Sequence, residues 1–209
     1  NLNDFVKGLK ILLTNNGVIT LEFPHLQKLI EMNQFDTIYH EHFSYFSLFV
    51  VNKIFEKHDL TIFDVEELPT HGGSLRVYLK HSENSKYQVS DKVSILINKE
   101  KHLGLFDINF YKKFSLKIDQ IKKELEEFFE NAKIENKKIV CYGAAAKGNT
   151  LLNYCKIPNE VILYIVDRSI YKQGLFLPGT HFIIKKPEDI KETKPDYLLI
   201  LPWNLKDEI

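Results

Sequence analysis

The segment after Lys137-Lys138 constrains the fold most, because a strand, a glycine-rich turn, a helix and a second strand follow one another there. Ile139 to Tyr142 is predicted to form the first strand, and the residues from Gly143 to Thr150 open the helix. Val161 to Val166 and Tyr197 to Leu201 are predicted as further strands. Strands that alternate with helices are typical of an α/β domain with a parallel sheet.

The first 81 residues contain three more predicted strands. Val18 to Phe23 is expected to form a buried strand that ends at Pro24. Thr61 to Leu68 and Ser74 to His81 are separated by the turn Pro69 to Gly73, so we expect them to pair antiparallel. Helices are predicted over residues 5–13 with Asn3 or Asp4 as the N-cap, over residues 26–32, and from Ser47 as the cap to about His58.

The middle of the chain has the pattern of long helices. One helix is expected over about residues 87–102. From Phe106 to Phe128 apolar residues recur at steps of three or four, which is one face of a long helix. We therefore expect an α/β protein in three parts: residues 1–81, a helical connector over residues 82–136, and a second α/β domain over residues 137–209.

Charge and cysteine content narrow the classes of function. Lys and Arg together number 28, as do Asp and Glu, so the formal net charge is zero and no nucleic-acid partner is indicated. No apolar run approaches the roughly 18 residues of a membrane span, so no membrane partner is expected. The two cysteines, Cys141 and Cys155, have neither a metal-binding spacing nor a disulfide framework. We therefore expect a cytoplasmic protein with no metal site in this sequence.

Tyr39-His40-Glu41-His42 is the densest group of chemically active side chains. Removal of a proton beside a carbonyl group needs a base whose pKa lies near neutrality, and an unperturbed His provides one. An adjacent carboxylate or phenol can orient the imidazole and stabilise its charged form. The spacing does not match the helical zinc motif. The alternative is a loop with one solvent-facing His and one hydrogen-bonded core His.

His71-Gly72-Gly73-Ser74 and Arg76 form a second polar group. Paired glycines let the backbone approach a ligand, and an Arg guanidinium can bind anionic groups. The alternative is a hairpin turn in which the glycines serve only the geometry of the backbone.

The glycine-rich turn at Gly143 is a third candidate site. It differs from the phosphate-binding loop, which needs Lys directly after its second Gly, and it is not GxGxxG. A strand, a turn and a helix N-terminus nevertheless favour anions, and Lys147 and Asn149 add hydrogen-bond donors. Asp167 follows 24 residues after Gly143, where dinucleotide-binding folds place the acid that holds a ribose. The alternative is a purely structural strand-to-helix turn.

The ordered motifs of the whole chain resemble one family. They are Glu22-Phe23-Pro24-His25, Tyr39-His40-Glu41-His42-Phe43-Ser44-Tyr45-Phe46-Ser47, His71-Gly72-Gly73-Ser74-Leu75-Arg76, Tyr142-Gly143-Ala144-Ala145-Ala146-Lys147-Gly148-Asn149-Thr150, Val166-Asp167-Arg168, Lys172-Gln173-Gly174, Pro178-Gly179-Thr180-His181 and Pro202-Trp203-Asn204. This set resembles the S-adenosylmethionine-dependent sugar C-methyltransferases, which act on nucleotide-linked keto-deoxysugars.

The resemblance implies how the chain is organised. Residues 1–81 look like the later half of a class I methyltransferase domain, a Rossmann-like sheet that ends in an antiparallel hairpin. Residues 137–209 look like most of the family's second Rossmann-like domain, which helps to enclose the sugar nucleotide. The family's zinc-binding N-terminal segment and its glycine-rich loop for S-adenosylmethionine have no counterpart in this sequence. We therefore expect a fragment or a split protein that is inactive alone.

The resemblance also implies roles for individual residues. His42 is the expected base that forms an enolate, with Tyr39 and Glu41 as its supports, and His71, Gly72 and Arg76 are expected near the substrate. The resemblance says less about His40, which we expect to be structural. From the anion-favouring turn at Gly143 we add Lys147, Asn149 and Asp167 as residues that bind the nucleotide side of the substrate.

One alternative function is a non-catalytic module that binds nucleotide sugars or a protein partner. A second is a short-chain NAD enzyme, which the missing GxGxxG disfavours.

Overall fold

A computed structural model describes residues 1–209, which divide into two compact units. Unit 1 comprises Asn1–Gln34 and Phe43–Phe114, and unit 2 comprises Phe35–His42 and Ser115–Ile209. The short segment with the Tyr39 to His42 motif therefore belongs to the same unit as the C-terminal part of the chain. No helix of the structure is both long enough and apolar enough to span a lipid bilayer.

Unit 1 contains a three-stranded sheet. Its strands are β1 (Ile19–Pro24), β2 (Leu60–Leu68) and β3 (Ser74–His81), and β3 lies between the other two and runs antiparallel to both. The expectation that β1 is a buried strand was wrong, because every second side chain of this edge strand is exposed. The strand thus contributes only one face to the core.

Four helices lie wholly within unit 1, namely α1 (Leu2–Leu12), α2 (Leu26–Glu31), α3 (Leu48–Glu56) and α4 (Asp91–Leu103). The predicted cap of α1 was wrong: Asn1 is the N-cap, and its side chain accepts a hydrogen bond from the Asn3 N–H at 3.1 Å. Ser47 caps α3 as predicted, accepting from the Val50 N–H at 3.3 Å. The core consists mainly of aliphatic side chains: Val6, Leu48, Leu60, Ile62, Leu75, Val77 and Leu79 are fully buried or nearly so.

The side chains of Glu100 and His25 form a buried, hydrogen-bonded pair at the start of α3. Glu100 on α4 accepts hydrogen bonds from the Leu48 N–H at 2.6 Å and the Phe49 N–H at 2.9 Å. It also accepts one from His25 Nε2 at 2.8 Å, and both side chains are 0% exposed. The carboxylate therefore satisfies the first donors of α3, which have no partner within the helix itself.

Unit 2 is an α/β unit with a parallel sheet, as predicted. Its strands are β4 (Ile139–Tyr142), β5 (Ile162–Val166), β6 (Ile184–Lys185) and β7 (Tyr197–Ile200), in the spatial order β6-β5-β4-β7. Helix α6 (Ala146–Tyr154) follows β4, and α7 (Asp189–Thr193) precedes β7. The long helix α5 (Ile108–Ile134) passes from unit 1 to unit 2 at Phe114.

The turn between β4 and α6 requires a glycine. Gly143 has a φ of +93°, a conformation that residues with a side chain rarely adopt. A Cβ at this position would also overlap Pro202. The backbone of this turn therefore lies directly against the segment that follows β7.

Candidate active site

The imidazole of His42 is fixed by a backbone carbonyl. His42 lies at the end of a turn in which its N–H donates to the Tyr39 carbonyl at 3.0 Å. A 3-10 turn over Phe35–Thr37 precedes it, and the Thr37 carbonyl lies 2.8 Å from His42 Nδ1. Since a carbonyl oxygen only accepts, Nδ1 carries the proton and the neutral ring has its lone pair on Nε2. This is the tautomer that a base acting through Nε2 requires.

The other members of the motif differ in exposure. The Tyr39 ring lies against the His42 ring, with centroids 4.4 Å apart and an angle of 32° between the planes, and both side chains are half-buried. The side chains of His40 and Glu41 are exposed. The structure thus shows Tyr39 in ring contact with His42 and the Thr37 carbonyl as the group that selects the tautomer, a role that the sequence did not single out.

Asp36, next to Thr37, is tied to the chain's single tryptophan. Trp203 Nε1 donates to Asp36 Oδ2 at 2.7 Å, and Asp36 is buried. Burial raises the pKa of the Asp36 carboxyl, against the opposing effects of the Trp203 hydrogen bond and the Lys147 charge. The ring of Phe35 also contacts that of Tyr154 on α6, at 5.2 Å between centroids. Sequence reasoning missed Asp36, although it stands three residues before the motif.

Lys147, predicted to bind substrate, has partners within unit 2. Its Nζ donates to Asn204 Oδ1 at 2.9 Å and lies 4.5 Å from the centroid of the Trp203 ring. Burial lowers the pKa of this ammonium group, while the Asp36 charge acts in the opposite direction. A diphosphate at this position would have to compete with these contacts.

The Asp167 carboxylate closes the turn between β4 and α6. Its Oδ2 accepts from the Ala144 N–H at 2.8 Å and lies 3.3 Å from Lys172 Nζ, and its Oδ1 accepts from the Ser169 N–H at 2.8 Å. Lys172 Nζ also donates to the Ala144 carbonyl at 2.8 Å. Asp167 therefore has a structural task at the position where a ribose-binding acid was predicted.

The N-terminus of α6 has no side-chain cap, because Ala145 is its N-cap residue. The first N–H groups of a helix have no intrahelical acceptor and favour an anion. Asn149, the other predicted donor, lies half-buried in this first turn, and its Oδ1 accepts from Asn153 Nδ2 at 3.1 Å. The geometry is compatible with an anionic ligand at this end of the sheet.

In unit 1, Arg76 lies between two carboxylates on the face of the sheet. It is paired in register with Glu22 on β1 and Glu66 on β2. Arg76 Nη2 donates to Glu22 at 2.9 Å, and Nη1 lies 3.5 Å from Glu66. Hydrogen bonds from Thr70 and then Arg76 lower the pKa of the Glu22 carboxyl. Much of the Arg76 charge is therefore balanced within the sheet.

His71 and the following glycines form the turn before β3. His71 is exposed and has a φ of +55°. The Gly72 carbonyl accepts from Gln34 Nε2 at 2.7 Å. Gly73 has a φ of +124°, and a Cβ there would lie 2.7 Å from Lys28 Cγ. The backbone of this turn thus requires a glycine at position 73. This requirement is independent of any contact that His71 and Gly72 make with a ligand.

Comparisons with known proteins give the family. Residues 69–209 match the family described as the C-methyltransferase C-terminal domain. Over 209 residues the chain is 34% identical to the C-methyltransferase NovU of Streptomyces niveus, an alignment that covers 100% of this chain and 50% of that protein. The chain thus spans about half the length of this curated relative. It belongs to the C-methyltransferase family.

Proposed function

We propose that this chain is part of an S-adenosylmethionine-dependent sugar C-methyltransferase. The complete protein would move a methyl group to the carbon beside the ketone of a nucleotide-linked deoxysugar. The observation that carries the proposal is the hydrogen bond between His42 Nδ1–H and the Thr37 carbonyl, which leaves Nε2 as the basic nitrogen. Family membership supplies the class of reaction.

In this proposal the proton on the carbon beside the ketone passes to His42 Nε2. The electron pair of the broken C–H bond forms the carbon–carbon double bond of an enolate, and the negative charge moves to the ketone oxygen. The ring then carries protons on both nitrogens, and its positive charge is stabilised by the Thr37 carbonyl at Nδ1. Tyr39 holds the ring plane by contact. The exposed Glu41 side chain in the same turn keeps its predicted role as a support of His42.

The residues of this chain do not fit S-adenosylmethionine. In unit 1, β1 leads directly into α2 through His25, whose side chain is buried against Glu100, so no open glycine turn follows that strand. The turn at Gly143 opens onto helix N–H groups and Lys147, which suit an anion better than a sulfonium cation. Apart from the removal of the substrate proton by His42, we therefore assign no step of the reaction to residues of this chain, and we place the methyl donor on segments outside these 209 residues.

For the sugar nucleotide, we propose the N-terminal turn of α6 as the diphosphate subsite. Its uncapped N–H groups, Lys147 and Asn149 supply donors, and Asp167 lies at the end of β5 beside the same turn. For His71, Gly72 and Arg76 of unit 1, a role in substrate binding stays a prediction from the family resemblance. The C-terminal α/β unit would thus bind the nucleotide, while its short segment Phe35–His42 contributes the base.

The test compares two histidines of the same turn in the complete protein. His42→Gln should lower kcat with a nucleoside-diphosphate keto-deoxysugar by about 10² to 10⁴-fold, which is the usual contribution of a general base. His40→Gln is the matched control, because its side chain is exposed in the same turn, and it should keep nearly wild-type activity.

Calorimetric titration with the nucleoside diphosphate shows that both variants are folded and bind. Equal effects of the two substitutions on kcat would contradict the assignment of the base to His42. Wild-type kcat in His42→Gln would contradict it as well, and would favour a binding module without base chemistry at this turn.

A further inference from the structure

We infer that Asp36 is a positioning residue for the His42 imidazole and that Trp203 anchors it. The inference rests on the proposed function of His42 as the base. It concerns a connection within unit 2 between two residues that stand 167 positions apart in the sequence.

The connection runs through three consecutive interactions. Trp203 Nε1–H donates to Asp36 Oδ2 at 2.7 Å. Asp36 is the central residue of the 3-10 turn Phe35–Thr37, so its position determines where the carbonyl of the next residue points. That carbonyl, of Thr37, lies 2.8 Å from His42 Nδ1. A displaced Asp36 side chain would therefore shift the carbonyl oxygen that accepts from His42 Nδ1.

Several contacts fix the position of the Trp203 side chain. Trp203 begins a 3-10 turn directly after Pro202, which packs against Gly143. The Lys147 ammonium lies 4.5 Å from the indole centroid and is itself held by Asn204. A hydrogen bond to a carboxylate is among the stronger kinds in proteins. The segment Phe35–His42, which has no long helix or strand of its own, is thus fixed to the loops at the ends of the parallel strands.

A role in stability alone would not produce a preference for one imidazole tautomer. Neutral imidazole can carry its proton on either nitrogen, and the hydrogen bond to one nitrogen decides which is protonated. With the Thr37 carbonyl displaced, part of the His42 population would carry the proton on Nε2 and could not act as the base. The tautomer of His42 is therefore the readout that separates positioning from mere folding.

The experiment measures this tautomer by ¹⁵N NMR of histidine side chains in the 209-residue chain, with the His42 signals assigned by their loss in His42→Gln. Trp203→Phe removes the indole donor and keeps an aromatic ring, and Asp36→Leu removes the acceptor. Both should change His42 from the Nδ1–H tautomer to a mixture. Asp36→Asn keeps an acceptor oxygen and should retain the wild-type tautomer.

Lys206→Ala is the matched control, because its exposed side chain lies at the end of the same 3-10 turn and the change leaves the indole N–H on Asp36. The single indole N–H signal of the chain should move in Asp36→Leu and stay in place in Lys206→Ala. The backbone ¹H–¹⁵N spectrum identifies folded variants, and either Trp203→Phe or Asp36→Leu is sufficient. An unchanged His42 tautomer in a folded variant of either kind would overturn the inference.

In the complete protein, the same two variants should lower kcat by about 10- to 100-fold with little change in KM, since a small displacement of a catalytic group has effects of this order. Asp36→Asn should retain kcat. The tautomer readout needs no turnover, so a failure of the proposed base chemistry, seen as an active His42→Gln, is distinguishable from a failure of the positioning role.

Discussion

Glu100→Ala should destabilise unit 1 more than any exposed substitution on the same helix. The carboxylate is completely buried and accepts three hydrogen bonds, from His25 Nε2, the Leu48 N–H and the Phe49 N–H, at 2.6 to 2.9 Å. Its removal leaves two backbone donors at the start of α3 and one imidazole N–H without an acceptor.

The magnitude follows from these contacts. Hydrogen bonds to a charged group contribute about 1.5–3 kcal/mol each to the free energy of unfolding, but bonds to one carboxylate are not additive. A buried donor left without its acceptor costs about 1–3 kcal/mol, so the loss of the acceptor of three donors is about 4 kcal/mol. With an m-value of about 2 kcal/mol/M in urea, a loss of about 4 kcal/mol lowers the midpoint of unfolding by about 2 M.

Urea denaturation followed by circular dichroism measures this shift, and hydrogen exchange of the Leu48 and Phe49 amides localises it to α3. Lys101→Ala is the matched control, because Lys101 is the exposed neighbour of Glu100 on α4 and its loss should change the stability by about 0.5 kcal/mol or less. A Glu100→Ala variant within about 1 kcal/mol of this control, with both amides still protected, would refute the reasoning.

Two further predictions concern unit 2. Lys147→Ala should weaken binding of the nucleoside diphosphate by about 10- to 100-fold in calorimetric titration, because a charge-assisted contact is worth roughly 1.5–3 kcal/mol. Asn204→Ala, which keeps the ammonium group, serves as the control. Unchanged affinity in a folded Lys147→Ala variant would contradict the diphosphate subsite. Cys141 and Cys155 are buried, which raises the pKa of their thiols to about 12 and about 11, so neither should react with Ellman's reagent at pH 8 until urea unfolds the chain. Rapid modification of either thiol in the folded chain would contradict the burial of that cysteine.

Most elements of the fold could be predicted because their signals are local. The apolar runs at Ile139 to Tyr142 and Tyr197 to Leu201 are bounded by Gly143 and Pro202, and both are strands of the parallel sheet. Strand β6 was missed because it has only two residues, Ile184 and Lys185, whose pairing with β5 decides their conformation. A run this short has no periodicity to detect.

The candidate site was located in part. The motif from Tyr39 to His42 indicated base chemistry because of its residue types, but its geometry depends on a carbonyl, that of Thr37, which carries no signal in its side chain. The Asp36–Trp203 contact joins residues 167 positions apart, and His25 and Glu100 stand 75 positions apart. Such pairs are set by the tertiary fold, and one sequence gives no indication of them.

The proposed base role of His42 is tested most directly by hydrogen exchange on the substrate. The complete protein is incubated in deuterated water with a nucleoside-diphosphate keto-deoxysugar and an unreactive analogue of the methyl donor, and substrate binding is verified by titration. If His42 removes the proton before methyl transfer, deuterium appears at the carbon beside the ketone in the wild type and in His40→Gln, but not in His42→Gln. Bound substrate that gains no deuterium in the wild type, or gains it equally in His42→Gln, would contradict the account.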